Sequence, residues 1–162
     1  MTIQFPAWWK GGFPDREEVV MDLLQPYLDL LTPQGYACTW LPDKYGDKLP
    51  IVRVYRGGGS EDYDTRSDPA AVQLGVIGAS RADSWAVVEY CRQIMLSYRH
   101  GGRVTRADGS VTLIKSIEEM TGPQQLPELT PDFRLVPITF RVNCKWPSGL
   151  PDYSRVRENL DL

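Results

Sequence analysis

The order of segments along the chain predicts an α+β domain: a mostly antiparallel sheet of four to six strands with two helices packed on one face. Three observations predict it. Two segments, around Val19–Leu31 and Val87–Tyr98, place apolar residues at helical spacing. Short runs between and after them alternate apolar with polar residues, as half-buried strands do. The gaps between those runs are too short for repeated helical crossovers, so hairpins are expected. A chain of 162 residues fits one domain. At that length folding buries roughly 70% of the unfolded surface, enough for a core without staples. The expected division is an arm at 1–14, a single domain at 15–144 and a second arm at 145–162.

Taken in order, the arm (MTIQFPAWWKGGFP) is punctuated by Pro6, Gly11, Gly12 and Pro14. It carries Trp8 and Trp9, which either fold back on the domain's own core or anchor on a neighbour. The first helix is predicted to start at Asp15, with Glu18 at capping-box spacing and Glu17 favoured by the helix dipole. Val19, Val20, Leu23, Leu24, Tyr27, Leu30 and Leu31 form its apolar face, and Pro26 is expected to kink or break it. Strands are predicted at Tyr36–Trp40 and Ile51–Tyr55, separated by a turn from Pro42 to Asp47. Residues Gly57 to Pro69 read as a long, polar, flexible insertion, of the kind that is usually functional or disordered. A third strand, Val72–Ile77, leads to Ser80, expected to cap the second helix with Asp83.

That helix puts Val87, Val88, Cys91, Ile94, Met95 and Tyr98 on one face. A second stripe of Trp85, Glu89, Arg92 and Leu96 lies roughly opposite, and is read as a contact between protomers. Asp108-Gly109 marks a hairpin within Arg103–Ile117. Gly122–Glu128 is expected to cross in extended form before a last strand, Leu135–Asn143, where Pro137 suggests an edge or a bulge.

The net charge of −3, with acids and bases interspersed, argues against a dedicated nucleic-acid binder. No run of about 18 apolar residues points to a membrane span, and Met1–Gly12 has no apolar signal region, so cytoplasmic synthesis is expected. Cys38, Cys91 and Cys144 are dispersed, which gives neither a disulfide framework nor a zinc site. The single histidine, His100, stands beside two glycines with no GxSxG elbow in the chain. Gly57-Gly58-Gly59-Ser60 lacks the lysine of a phosphate loop and leads into acids. Glu61, Asp62, Asp64 and Asp68 lack EF-hand spacing and read as a solvated acidic loop. Glu118 and Glu119 are adjacent and point different ways. No catalytic residue, metal ligand or cofactor is expected.

From Leu49-Pro50-Ile51-Val52-Arg53-Val54, through Gly57-Gly58-Gly59 and the acidic loop, into Ala71-Val72-Gln73-Leu74-Gly75-Val76, the chain resembles the tail terminator proteins of siphophages, particularly those infecting actinobacteria. The cap and helix from Ser80 to Ala86, the acidic helix from Pro14 to Leu31, and Gly122–Pro127 before a closing strand fit the same order. The resemblance spans about residues 13–143. The arm with Trp8 and Trp9, and the tail after Trp146, lie outside it.

The resemblance implies a virion protein rather than an enzyme. Such proteins assemble as hexameric rings on the last ring of the major tail tube protein, stop further addition and offer a joint to the head–tail connector or stopper. DNA passes through the lumen without being held, which suits a mildly acidic chain. A ring needs two different patches that meet head to tail. Trp85, Glu89, Arg92 and Leu96 are one candidate patch. Gly57, Gly58, Gly59, Asp62, Tyr63, Asp64 and Arg66 are the other, with Trp8 and Trp9 as further anchors. Two alternatives remain open on the residues alone: another neck protein, such as a head-closure stopper or tail-completion protein, or a cytoplasmic enzyme or small-ligand domain using His100 or the glycine-rich segment.

Overall fold

Asp15 opens the first helix, α1 (Arg16–Leu28), its carboxylate accepting the backbone N–H groups of Glu17 and Glu18. Helical spacing sinks Val19, Val20, Leu23, Leu24 and Leu28 into the core. Pro26 stands in the last turn, and the helix runs through it to stop two residues later. Leu30, assigned to the apolar face from sequence, is exposed because it falls beyond that end. Ser80 caps the second helix, α2 (Arg81–Leu96), accepting the N–H of Asp83.

The computed structural model describes residues 2–125, 132–149 and 153–159. Among these, six strands form one sheet: β1 (Tyr36–Cys38), β2 (Ile51–Gly59), β3 (Ser67–Ile77), β4 (Gly102–Thr105), β5 (Val111–Thr121) and β6 (Val136–Lys145). Their spatial order is β1-β2-β3-β6-β5-β4. Every pairing is antiparallel except β1 with β2. The two helices cover one face. Against them pack Val52 and Val54 of β2, Val72, Leu74 and Val76 of β3, Ile114 and Ile117 of β5, and Ile138, Phe140, Val142 and Cys144 of β6. Each such side chain contributes about 1.5–3 kcal/mol of burial. The α+β expectation, with two helices on one face of a mostly antiparallel sheet, matches this architecture. No helix among the described residues is long and apolar enough to cross a membrane.

Four local expectations change. The first strand stops at Cys38, leaving Trp40 exposed with the Arg53 guanidinium 5.6 Å from its ring. The segment Gly57–Pro69 is mostly ladder rather than loop. β2 extends through Gly59 and β3 begins at Ser67, so only residues 60–66 turn. Here glycine serves close approach, not flexibility: a Cβ at Gly59 (φ +128°) would collide with the backbone of Pro69 and Ala70. Pro137 lies on a central strand rather than an edge. It is tolerated because β5 pairing with β6 ends at Thr121↔Thr139, leaving Pro137 opposite Gly75 alone. The last strand continues to Lys145, past the expected Asn143, because Ser67 and Asp68 of β3 pair with it there. Of the Gly122–Glu128 crossing, residues 126–128 lie outside the described ones, and Gln124 donates its N–H to the Pro137 carbonyl.

Candidate functional site

The β2–β3 hairpin carries the first candidate patch at its tip. Asp62 and Ser67 exchange backbone bonds of 2.7 and 3.1 Å, closing the turn. The Asp62 carboxylate accepts the N–H of Thr65 at 3.1 Å, and that bond holds its carboxyl below the usual range. Asp62 is therefore a turn-forming group, while Glu61 and Asp64 remain exposed. Asp68 leaves the acidic loop altogether. It is buried on β3, and its carboxylate and carbonyl both accept from Arg16 at 2.7 Å. Arg56 stands 3.6 Å away on the other carboxylate oxygen. The solvated loop expected from four acids is thus three acids at the tip and one buried ion pair at the base. The sequence held a signal for this. An arginine at the first position of a helix, in a turn already acidic, runs against the dipole and needs another partner.

Tyr63 does not hang free. Its ring lies 5.6 Å from Trp146, which Phe13 approaches to 5.6 Å from the arm side and Tyr153 to 6.3 Å. The Arg66 guanidinium stacks 5.0 Å from the same ring, and the Trp146 backbone N–H donates to the Arg66 carbonyl. Trp146 is buried, so the start of the expected C-terminal arm is a latch that holds the hairpin tip to the body. A short helix, α3 (Tyr153–Val156), brings Tyr153 to it. Sequence reasoning missed this cluster because its members are far apart in the chain.

The second patch is on α2. Trp85 is 39% exposed at the helix start. Glu89 and Arg92 follow on the same face and pair at 3.3 Å. Arg92 then reaches across to Glu119 of β5 with two bonds, 2.6 and 3.1 Å. Glu118 points to Arg141 instead, at 3.5 Å, so the adjacent carboxylates diverge as expected of a strand. Leu96 does not belong to an outward stripe: it is half-buried and packs on the core. It lies about three turns beyond Trp85, at the last residue of α2. The turn at residues 60–66 and Trp85 stand toward opposite ends of β3, while Arg92 reaches β5 level with Val72 in mid-β3.

Trp8 and Trp9 are 40% and 43% exposed. They pack with Phe5, at 6.4 Å between the tryptophans and 5.5 Å from Phe5 to Trp9, rather than on the core.

The grooves show little convergent chemistry. One of about 480 Å³ is lined by Asp15, which caps α1, and by Glu18 and Asp22, both paired with Arg106. His100 lines another, of about 360 Å³, beside Arg103, Lys115 and Lys145, with no carboxylate on its wall to orient an imidazole. Burial pushes the Cys91 thiol up to about 12 and that of Cys144 up to about 11, so neither is a ready thiolate. Among the described residues no cluster of three histidine, cysteine or acidic side chains is placed to hold a metal ion.

Compared with known families, residues 12–151 match the family described as phage tail termination protein. The match runs beyond the resemblance read from sequence, taking in Trp146, and leaves the first eleven residues outside. No curated protein matches the chain.

Proposed function

The chain belongs to the phage tail termination protein family, and on that premise we propose that it forms a ring at the top of the tail tube, ends tube polymerisation and presents a joint to the head connector. The family match over residues 12–151 is the observation that carries this reading. Its partners are then further copies of itself, six in a closed ring, the major tail tube protein and the connector or stopper, with DNA passing through the lumen. Its place is the head–tail junction of the virion, after synthesis in the host cytoplasm.

The placement of the patches supports the reading. Trp85 with Glu89 and Arg92 on α2, and the β2–β3 hairpin with Gly57, Gly58, Gly59, Asp62, Tyr63, Asp64 and Arg66, supply two unlike surfaces on different elements. A closed ring is built from such heterologous contacts. The second alternative, a catalytic or small-ligand domain, gains no support from these two grooves, where Arg106 pairs with Glu18 and Asp22 in one and the charged groups of the other are all basic.

The test adds the purified chain to polymerising tube protein and measures tube length by negative-stain microscopy, with light scattering on the chain alone. Capped, shorter tubes are expected. A strict monomer that also leaves tube ends growing overturns the reading. Capture of the connector protein without any effect on the tube assigns the chain to the neck instead.

A further inference from the structure

The open margin of the sheet is short and well defined. β6 pairs with β5 along one side from Ile114 to Thr121. On the other side β4 covers only Val111–Ile114. Beyond it, the outward backbone groups of β5 have no partner among the described residues. Two bulges, at Ile114/Ser116 and Glu119/Thr121, leave Ser116–Glu119 as the regular stretch between them. Unpaired strand edges of this kind accept an added strand.

The same chain carries a segment suited to that edge. Thr2-Ile3-Gln4-Phe5 alternates polar and apolar residues, and Pro6 closes it, since proline cannot donate to a ladder. Ile3 is 72% exposed and Phe5 62%. Residues 2–12 make no hydrogen bond to the body of the domain; their bonds, Trp9 to Pro6 and Lys10 to Ala7, stay within the arm. Glu118 and Glu119 of the regular stretch of β5 are already paired, with Arg141 at 3.5 Å and Arg92 at 2.6 Å, so the fit rests on the backbone edge rather than on charge. Thr2–Phe5 is long enough to span the four residues of edge between the bulges.

We propose that Thr2–Phe5 of one copy adds as a short strand to Ser116–Glu119 of β5 in a second copy, joining neighbours head to tail. This deepens the ring reading and rests on it for the presence of neighbours. Trp8 and Trp9 then lie beside the added strand, within reach of Met120, the exposed extra residue of the second bulge. The bulges limit the addition to one short strand, so the edge serves a defined contact and not open-ended aggregation. The arm precedes the residues matched by the family, while the β5 edge lies within them.

The test mixes two full-length proteins, each in a Cys38→Ser background, one with Phe5→Cys and one with Glu118→Cys, and adds a short bis-maleimide. Crosslinks between the two species are expected, and Ile3→Asp in the first protein should cut their yield about tenfold, as loss of an anchor does. Light scattering runs in parallel. Copies that assemble without this crosslink overturn the proposal and leave the ring intact. A link only within one chain carrying both cysteines overturns it in favour of the arm covering its own edge. A link from Glu118→Cys to added tube protein alone, with no link between copies, overturns it in favour of that occupant. Copies that neither assemble nor crosslink, even on tube ends, overturn both readings.

Discussion

The two margins of the sheet end in different ways. At the β1–β2 margin, helix α1 runs alongside and its side chains take the edge donors. Gln25 accepts the Ala37 N–H at 2.9 Å, and Glu17 accepts the Arg56 N–H at 3.0 Å. At the β4–β5 margin, α2 sends Arg92 only to the side chain of Glu119, and the backbone beyond Ile114 stays bare. A helix packed on a sheet face covers side chains wherever it lies, but it seals an edge only where it carries acceptors at the right height. The contrast separates a margin whose edge donors are satisfied by α1 from one whose edge stays open among the described residues.

The largest way to break the contrast is at the anchor of α1. Arg16 and Asp68 are buried and bonded to each other at 2.7 Å, tying the helix start to β3. Arg16→Ala leaves Asp68 short of its closest partner inside the protein, and should cost about 3–5 kcal/mol. That is a large share of the stability of a domain this size, about 5–15 kcal/mol. Urea denaturation measures it. The double change Arg16→Met with Asp68→Leu should recover most of the loss, because no charge is then buried alone. If Arg16→Ala costs under about 1 kcal/mol, the pair does not anchor α1.

A smaller change sharpens the contrast directly. Gln25→Ala and Glu17→Ala each unseal one edge donor and should each cost about 1 kcal/mol. Amide exchange at Ala37 and Arg56 should speed up in the respective variants while β5 amides are unaffected. Equal exchange in variant and parent would mean that the helix side chains do not protect that margin.

How much of this was legible in the sequence follows from the range of the interactions involved. Both helix starts, Asp15 and Ser80, were readable because a cap is set by residues two and three positions on. The core faces of α1 and α2 followed from spacing, with Leu30 and Leu96 misplaced near the helix ends, where the period runs out. Strand extents were not readable at Gly57–Gly59 or Ser67–Pro69. Their composition is that of a loop, and what makes them strand is their partners: Ala70 and Ala71 of β3 for the glycines, and Asn143 to Lys145 of β6, over seventy residues away, for Ser67–Pro69. The parallel β1–β2 pair and the central place of Pro137 depend on strand order, which local pattern does not carry. The candidate patches fared likewise. Trp85 was identified as an outward residue from its position on the helix, whereas the latch of Tyr63, Trp146, Tyr153 and Phe13 needed the fold to bring it together.

On folding alone, Trp85→Ala should have a smaller effect, a loss of about 1 kcal/mol or less, since the ring is already part-exposed. Its effect on association should exceed its effect on folding. Sedimentation velocity beside a urea midpoint separates the two. If the variant unfolds the monomer instead, Trp85 belongs to the packing of α2 and the neighbours meet elsewhere, with the bare β5 margin next in line.

The smallest effect concerns a clip that ties the sealed margin to the sheet centre. Tyr45 follows β1 and donates its hydroxyl to Asp132 at 2.8 Å, while Arg134, just before β6, binds the same carboxylate at 2.9 and 3.0 Å. The Arg134 side-chain bonds, more than any other cause, hold the Asp132 carboxyl down to about 2. A depressed carboxyl stabilises the fold above its unfolded value, and that stability is lost as pH falls through the folded value. The clip should therefore be at full strength near neutrality, weaken below about pH 4 and vanish near pH 2. Solvent reaches part of the site, so the amount is modest. Urea midpoints of the parent and of Asp132→Asn should differ near neutrality and converge as pH falls through that window. A gap that stays constant down to about pH 2 would show that shape, not charge, joins the loop after β1 to β6. The sealed margin and the sheet centre would then be coupled through packing alone.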